Sequence, residues 1–155
     1  MSDAATLTDS RQIEVDEVFP HTLDVMWKTL TTPDLMRRWL PMPSSGFAPK
    51  AGTRFTYQTT PGGDWDGVIH CQVLEATPNK RLSYSWKGGH PNNVGYGAPL
   101  DTVVTFDLSA VEGGTRVRLV HSGFVLPRNE TAFKGMNGGW SKVVAAIGQL
   151  AGEQG

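Results

Sequence analysis

The chain has 155 residues, of which 39% are hydrophobic and 19% charged, a composition typical of one globular domain. Its 14 basic and 15 acidic residues give a formal charge of −1 without a block of like charges, which excludes a nucleic-acid-binding stripe and a polybasic membrane anchor. The single cysteine, Cys71, rules out an intramolecular disulfide, and the polar start MSDAATLTDS lacks the features of a signal peptide, so we predict a cytoplasmic protein.

The chain opens with polar residues 1–10, which we predict to be a flexible tail before a single domain over residues 11–152. Ile13 and Val15 alternate with polar residues, as in a half-buried strand, and Pro20 ends that strand. Two short helices are predicted next. The first is indicated by the helical spacing of apolar residues in LDVMWKTL, and the second by the Thr-Pro start of TPDLMRRWL.

Five further strands are predicted between residues 53 and 121, each with alternating apolar and polar side chains. A long helix follows, from about Asn129 to Ala151, with Trp140 and Val144 on its apolar face. Because each strand has one apolar face, the sheet needs a cover, and only this helix is long enough. The sequence therefore predicts an α+β helix-grip fold: a curved antiparallel six-stranded sheet wrapped around a long C-terminal helix, with two short helices between strands 1 and 2 and an internal cavity.

Three glycines of the C-terminal helix lie close to the large Trp140, namely Gly135, Gly138 and Gly139. Each glycine costs about 1 kcal/mol in a helix interior relative to alanine. Two interpretations stay open. Either the glycines remove side chains where the helix meets the sheet or a ligand, or Gly138 and Gly139 break the helix and leave the preceding turn as a mobile gate.

Several segments, in their order and spacing, resemble the SRPBCC (START-like) superfamily: VMWKTLTTPDLMRRWL, AGTRFTY, GVIHCQVLEATPNKRLSYSW, TVVTFDL, GGTRVRLVHSGF and the helical GGW. Within it they are similar to the branch named after the C-terminal domain of the activator of the 90-kDa heat-shock chaperone ATPase. The resemblance covers roughly residues 11–150 and implies a helix-grip fold with a cavity. It does not imply one reaction, since the superfamily includes lipid and hormone carriers, polyketide cyclases, drug-sequestering resistance proteins and co-chaperones.

The common catalytic motifs are absent from the sequence. There is no phosphate-binding loop, no nucleophile elbow and no His-Glu-x-x-His zinc motif. The four histidines are far apart in the sequence, and one cysteine cannot build a zinc ribbon. We therefore predict neither a metal nor a cofactor.

Three polar residues lie on the apolar sides of predicted strands and are the candidates for acid/base chemistry: Glu17, Tyr84 and His121. Glu17 is on the same side of the predicted strand as Ile13 and Val15. Burial of a carboxyl group raises its pKa, so that it can exchange a proton with a nearby histidine or tyrosine. Each residue also has a structural alternative. Glu17 turns outward where the strand ends, His121 caps a loop, and Tyr84 is a wall of the pocket.

The predicted ligand contacts are aromatic and apolar residues of the inner faces, with one histidine. They are Trp39, Phe55, Tyr57, Tyr84, Trp86, Phe106, His121, Met136 and Trp140. A Gly/Pro/Asn-rich segment over residues 88–99 carries four hydrogen-bonding side chains, those of His90, Asn92, Asn93 and Tyr96. Two interpretations of this segment remain: a lid over the pocket or a flexible hairpin extension.

These features favour the binding of a small hydrophobic or aromatic ligand in an internal cavity, by a carrier, sensor or sequestration protein. One alternative is a cofactor-independent enzyme of the cyclase, dehydratase or hydrolase type that uses the acid/base candidates. Another is a co-chaperone-like activator of a chaperone ATPase. The expected partner is a small molecule, neither a nucleic acid nor a membrane, while a homodimer and a chaperone partner stay open.

Overall fold

The computed structural model describes residues 9–154, so most of the tail predicted over residues 1–10 lies outside the described part. Residues 9 and 10 already belong to the first strand. The strands are β1 (Asp9–Phe19), β2 (Ser44–Ser45), β3 (Arg54–Gln58), β4 (Val68–Thr77), β5 (Arg81–Gly88), β6 (Leu100–Val111) and β7 (Gly114–Leu126). The helices are α1 (Leu23–Thr31), α2 (Pro33–Trp39) and α3 (Glu130–Gln154).

The strands form one sheet in the order β1-β7-β6-β5-β4-β3-β2, with neighbouring strands antiparallel. The predicted helix-grip fold is confirmed, but the sheet has seven strands instead of six. The additional strand is β2, in which Ser44 pairs with Tyr57 and Ser45 with Thr56 at the sheet edge. Two residues are too few to produce the alternation that predicts a strand from a sequence.

The sheet has one apolar face because side chains alternate along each strand. In β3, Phe55 and Tyr57 are buried, whereas Arg54 and Gln58 are exposed. The same alternation recurs in β4, β6 and β7. A one-sided antiparallel sheet of this kind needs a helix layer over its apolar face.

The two short helices start at the positions that their sequences favour. The Thr22 hydroxyl caps α1 by accepting a 3.3 Å hydrogen bond from the Val25 amide, and Pro33 opens α2 at a position where proline's missing amide is tolerated. The Trp39 indole N–H donates to the Thr29 carbonyl over 2.9 Å, which ties α2 to α1. Trp39 is thereby buried between the helices and the sheet.

The long helix α3 covers the apolar face and is continuous through its glycines, so the interpretation of a broken helix is wrong. A Cβ atom built on Gly135, Gly138 or Gly139 would meet nothing within 4 Å, so these glycines do not mark close contact with the sheet either. The close approach lies further along α3, at Gly148, where a Cβ would overlap the Phe19 ring. Gly148 is buried and was not singled out from the sequence.

Candidate functional site

A pocket of about 410 Å³ lies at the N-terminal end of α3, between this helix and two loops. The loops connect β3 to β4 and β5 to β6, and Ile69 and Trp86 line the pocket from the sheet. Most of the lining side chains are apolar, Thr59 and Thr131 supply hydroxyl groups, and no charged residue of the described chain lines it. The site therefore suits an uncharged, mainly apolar molecule.

The β5–β6 loop forms one wall of this pocket and is hydrogen-bonded to the β3–β4 loop. The Asn93 side chain donates to the Gly62 carbonyl over 2.7 Å and accepts from the Asp64 amide over 3.0 Å. The Asn92 amide group donates to the Asp64 carboxylate over 2.9 Å, and the Tyr96 ring lies 5.7 Å from the Trp65 ring. These contacts make residues 88–99 a supported wall and argue against a loose extension.

The far end of this wall is attached to the start of α3. The Asn129 side chain is buried, donates to the Pro99 carbonyl over 2.7 Å and accepts from the Val125 amide over 2.9 Å. One asparagine thus joins the loop, the end of β7 and the first turn of α3. The three sides of the pocket are held in fixed relation to one another.

Below the pocket lies a buried histidine whose two ring nitrogens are both hydrogen-bonded. The Trp140 indole N–H donates to His121 Nδ1 over 2.9 Å, so Nδ1 is an acceptor and the ring proton is on Nε2. Nε2 then donates to the Thr102 hydroxyl over 2.7 Å, and this hydroxyl donates to the Trp86 carbonyl over 2.8 Å. Burial lowers the pKa of His121 to about 3, so the ring is neutral at physiological pH.

This arrangement gives His121 a structural role, as its structural alternative expected, but as a link between helix and sheet instead of a loop cap. Its hydrogen bonds join α3, through Trp140, to β6 and β5 of the sheet. A proton acceptor for catalysis needs a free nitrogen within reach of a substrate, and neither nitrogen of His121 is free. Trp140 is therefore anchored by a hydrogen bond as well as by packing against Phe106, whose ring lies 6.1 Å away.

Tyr57 and Tyr84 form a second buried polar pair, next to the first. Their hydroxyl groups are buried and interact with each other, since each affects the pKa of the other, but neither makes a hydrogen bond of normal geometry in the described part of the chain. Burial is the main cause that raises the pKa of both phenols, so both stay protonated. A buried polar group without a partner costs about 1–3 kcal/mol, which makes two such groups in one core an unusual feature.

Glu17 does not belong to this cluster, and of its two interpretations the structure has the outward one. It is exposed near the end of β1, as are its neighbours Asp16 and Val18, whereas Tyr84 and His121 are fully buried. The strand β1 is at one edge of the sheet, so fewer neighbours cover its side chains. The acid/base arrangement of Glu17 with Tyr84 and His121 is not formed.

Of the nine predicted ligand contacts, Trp86 and Met136 line the pocket. The other seven are buried in the core beneath it, where aromatic rings pack edge to face, as in the 5.1 Å contact of Phe55 with Tyr84. These seven are Trp39, Phe55, Tyr57, Tyr84, Phe106, His121 and Trp140.

Several lining residues were not predicted as ligand contacts because they lie in loops or at the start of α3. They include Met42, Trp65, Tyr96, Leu100, Ala132 and Gly135. The unusual length of the segment over residues 88–99 was the sequence feature that pointed to this region. Gly135 contributes open space, since it lines the pocket and a Cβ atom built on it would meet nothing within 4 Å.

A second depression, of about 470 Å³, lies on the opposite, polar face of the sheet. Arg54, His70 and Lys87 line it together with Ser85 and Gln72. The three basic side chains are exposed, and Lys87 lies 3.8 Å from the Asp101 carboxylate. We assign no role to this face.

Two further observations concern the described residues as a whole. Within residues 9–154, no group of three or more His, Cys, Asp or Glu side chains is arranged to hold a metal ion. In the same part of the chain, no helix is both long and apolar enough to cross a membrane.

A one-sided antiparallel sheet wrapped on a long helix, with an apolar pocket at the helix start, defines the helix-grip class of the SRPBCC (START-like) superfamily. The family model described as "Activator of Hsp90 ATPase homolog 1-like protein" matches residues 20–152. The chain belongs to this family, and the resemblance noted in its sequence is confirmed. No protein of curated function matches the sequence.

Solved structures with the same fold include protein MLL2253 from Mesorhizobium loti, with 34% identity and a TM-score of 0.79, covering 94% of this chain and 99% of that one. CalU16 from Micromonospora echinospora has 23% identity and a TM-score of 0.68, covering 91% and 74%. The Aha1 dimer from Colwellia psychrerythraea has 22% identity and a TM-score of 0.67, covering 88% and 92%. The last two, at their low identity, show the fold alone.

Proposed function

We propose that this protein binds a small, uncharged hydrophobic or aromatic molecule in the pocket at the start of α3, as a carrier, sensor or sequestration protein. The observation that carries the proposal is the apolar, charge-free lining between α3 and two mutually hydrogen-bonded loops. A volume of about 410 Å³ is within the usual range of small-molecule sites, about 300–1,000 Å³. An aromatic molecule of two or three rings fits this space.

Enzymatic acid/base chemistry has less support. Glu17 is exposed, and both nitrogens of His121 are occupied by hydrogen bonds inside the core. Tyr84 is the one acid/base candidate that is buried without a hydrogen bond of normal geometry in the described residues, and burial raises its pKa. A protonated phenol of this kind suits ligand recognition by hydrogen-bond donation.

The chaperone alternative comes from the name of the family, which refers to an activator of the Hsp90 ATPase. The corresponding measurement is ATP hydrolysis by the purified chaperone with and without this protein. A homodimer like that of the Colwellia relative is tested by sedimentation.

The main test combines identification of a ligand with a blocked pocket. Native mass spectrometry of freshly purified protein, followed by extraction, should reveal a bound apolar compound. Gly135→Leu places a side chain in the pocket and should abolish its retention, whereas Gly138→Leu, one turn away and also facing open space, should not. Both changes favour the helix, so lost stability cannot explain the difference. Equal retention in the two variants, or no apolar ligand and no uptake of hydrophobic probes, would contradict the proposal.

A further inference from the structure

The hydroxyl groups of Tyr57 and Tyr84 make no hydrogen bond of normal geometry in the described chain, and neither tyrosine lines the pocket. Tyr57 is 1% exposed and Tyr84 0%. Tyr57 is paired with Ile69 across β3 and β4, and Ile69 lines the pocket. Tyr84 lies two residues before Trp86 on the same face of β5, a separation of about 7 Å along a strand. Both tyrosines are thus neighbours of pocket-lining residues without lining the pocket themselves.

Trp86 is the aromatic residue of the pocket wall that is nearest to them in the strand pattern. It lines the pocket, and its ring centre lies 5.4 Å from that of Tyr57. The indole N–H groups of Trp39, Trp65 and Trp140 each donate to a protein acceptor. Trp86 makes no such hydrogen bond within residues 9–154, so packing alone holds its ring in place.

We propose that the Tyr57 and Tyr84 hydroxyls are the inner, hydrogen-bonding end of the ligand site, reached when the Trp86 ring moves aside. The ligand class that fits has an apolar body and one uncharged oxygen group, such as a ketone or an alcohol. This inference rests on the proposed function, because it adds a polar end to the same site.

The absence of charge around the two hydroxyls determines the class of ligand. The buried polar residues of the described chain are threonines, one serine, one asparagine and His121, with no lysine, arginine, aspartate or glutamate among them. Burial lowers the pKa of His121 to about 3, so this residue supplies no positive charge at neutral pH. A charged head group would enter the core without a counter-ion, which is strongly unfavourable.

The donors themselves favour an oxygen acceptor. Each phenol carries one O–H donor, and both stay protonated because burial raises their pKa values. A ketone oxygen has two lone pairs and can accept from both phenols at once. The neighbouring Phe55 ring, 5.6 Å from Tyr57 and 5.1 Å from Tyr84, surrounds this group with apolar surface.

The test uses two matched fluorescent probes. One is 6-propionyl-2-(dimethylamino)naphthalene, a ketone whose emission shifts to longer wavelength when its oxygen accepts hydrogen bonds. The other is 6-propyl-2-(dimethylamino)naphthalene, which lacks the oxygen. Affinities are measured for the unmodified protein, for Tyr57→Phe and Tyr84→Phe, and for the double variant.

We expect the double variant to bind the ketone about tenfold more weakly, as for the loss of one or two neutral hydrogen bonds. The affinity for the hydrocarbon should stay within about twofold, because the phenylalanine rings keep the apolar contacts. The emission of the bound ketone should also move to shorter wavelength in the double variant. If the double variant does not fold, the two single variants carry the same comparison, each with a smaller loss.

The failures of the two proposals are distinguishable. If both probes bind and are blocked by Gly135→Leu, but the tyrosine variants leave the ratio of their affinities unchanged, the inner subsite is wrong and the pocket stands. An equal loss for both probes would also overturn the subsite, since it would indicate damage to packing. If neither probe binds the unmodified protein, the proposed function fails and the subsite with it.

Discussion

The indole N–H of Trp140 donates a 2.9 Å hydrogen bond to Nδ1 of His121. This contact joins the long helix to the sheet inside the core, and both side chains are almost completely buried. It also accounts for a large aromatic residue beside glycines that face open space. The glycines are not needed to accommodate Trp140, because the hydrogen bond and the surrounding rings position it.

Trp140→Phe should lower the free energy of unfolding by about 2–4 kcal/mol. The change removes buried surface and leaves His121 Nδ1 without its donor. Urea unfolding followed by circular dichroism measures the effect. Trp27→Phe is the matched control, since Trp27 is half-buried on α1, and it should cost less. Equal losses in the two variants would show that the hydrogen bond contributes nothing specific.

His121 should make the protein sensitive to mild acid. Its pKa is about 3 in the folded chain and about 6.5 when unfolded. The unfolded chain therefore binds the proton first, and stability that is present above pH 6.5 is lost as the pH falls toward 3. Between pH 7 and pH 5 we expect a loss of about 2 kcal/mol.

The control for this pH dependence is His121→Gln, which cannot titrate. Its free energy of unfolding should be lower at pH 7, because the hydrogen bonds are imperfectly replaced, but nearly constant down to pH 5. The exposed carboxyl groups of Glu14 and Asp16 have pKa values lowered by hydrogen bonds from Arg118 and Arg116, so their effect comes at more acid pH. Parallel curves for the variant and the unmodified protein would contradict the assignment.

The glycines of α3 should respond to alanine in opposite directions. Gly138→Ala and Gly139→Ala should each raise the free energy of unfolding by about 0.5–1 kcal/mol, because the new methyl group meets open space. Gly148→Ala should destabilise the protein, because its Cβ would overlap the Phe19 ring. Thermal unfolding of the three variants checks the signs. Destabilisation by Gly138→Ala would indicate that the helix is broken there after all.

Asn93→Ala should loosen the wall of the pocket. It removes the hydrogen bonds to Gly62 and Asp64, with an expected cost of about 1–2 kcal/mol in local stability. Hydrogen exchange of the Asp64 amide should become about tenfold faster or more, as this cost implies. Asn92→Ala is the control, since its side chain bonds only the exposed Asp64 carboxylate in that loop. Unchanged exchange at Asp64 would show that the wall does not depend on Asn93.

Much of the fold could be predicted from the sequence because strands and helices have different side-chain periods. The alternation through Phe55 and Tyr57, and the helical spacing from Trp140 to Val144, gave the correct buried faces. The prediction missed β2, which has two residues, and Gly148, whose contact with Phe19 is made by residues far apart in the sequence. The alternation that buries Ile13 and Val15 does not extend to Glu17. The reason is that β1 is an edge strand, in which not every residue on the inward side is covered.

The inward direction of residues such as Tyr84 and His121 follows from their positions in the strands, because alternation along a strand is a local property. The atoms that each side chain meets there depend on how distant segments pack together. His121 is hydrogen-bonded to side chains of α3 and β6 and is a neutral structural link, whereas the hydroxyls of Tyr57 and Tyr84 make no hydrogen bond of normal geometry within the described chain. The pocket also depends on the tertiary structure, because its lining comes from loops and a helix that are distant in sequence. The hydrogen bonds that place these segments depend on three-dimensional distance.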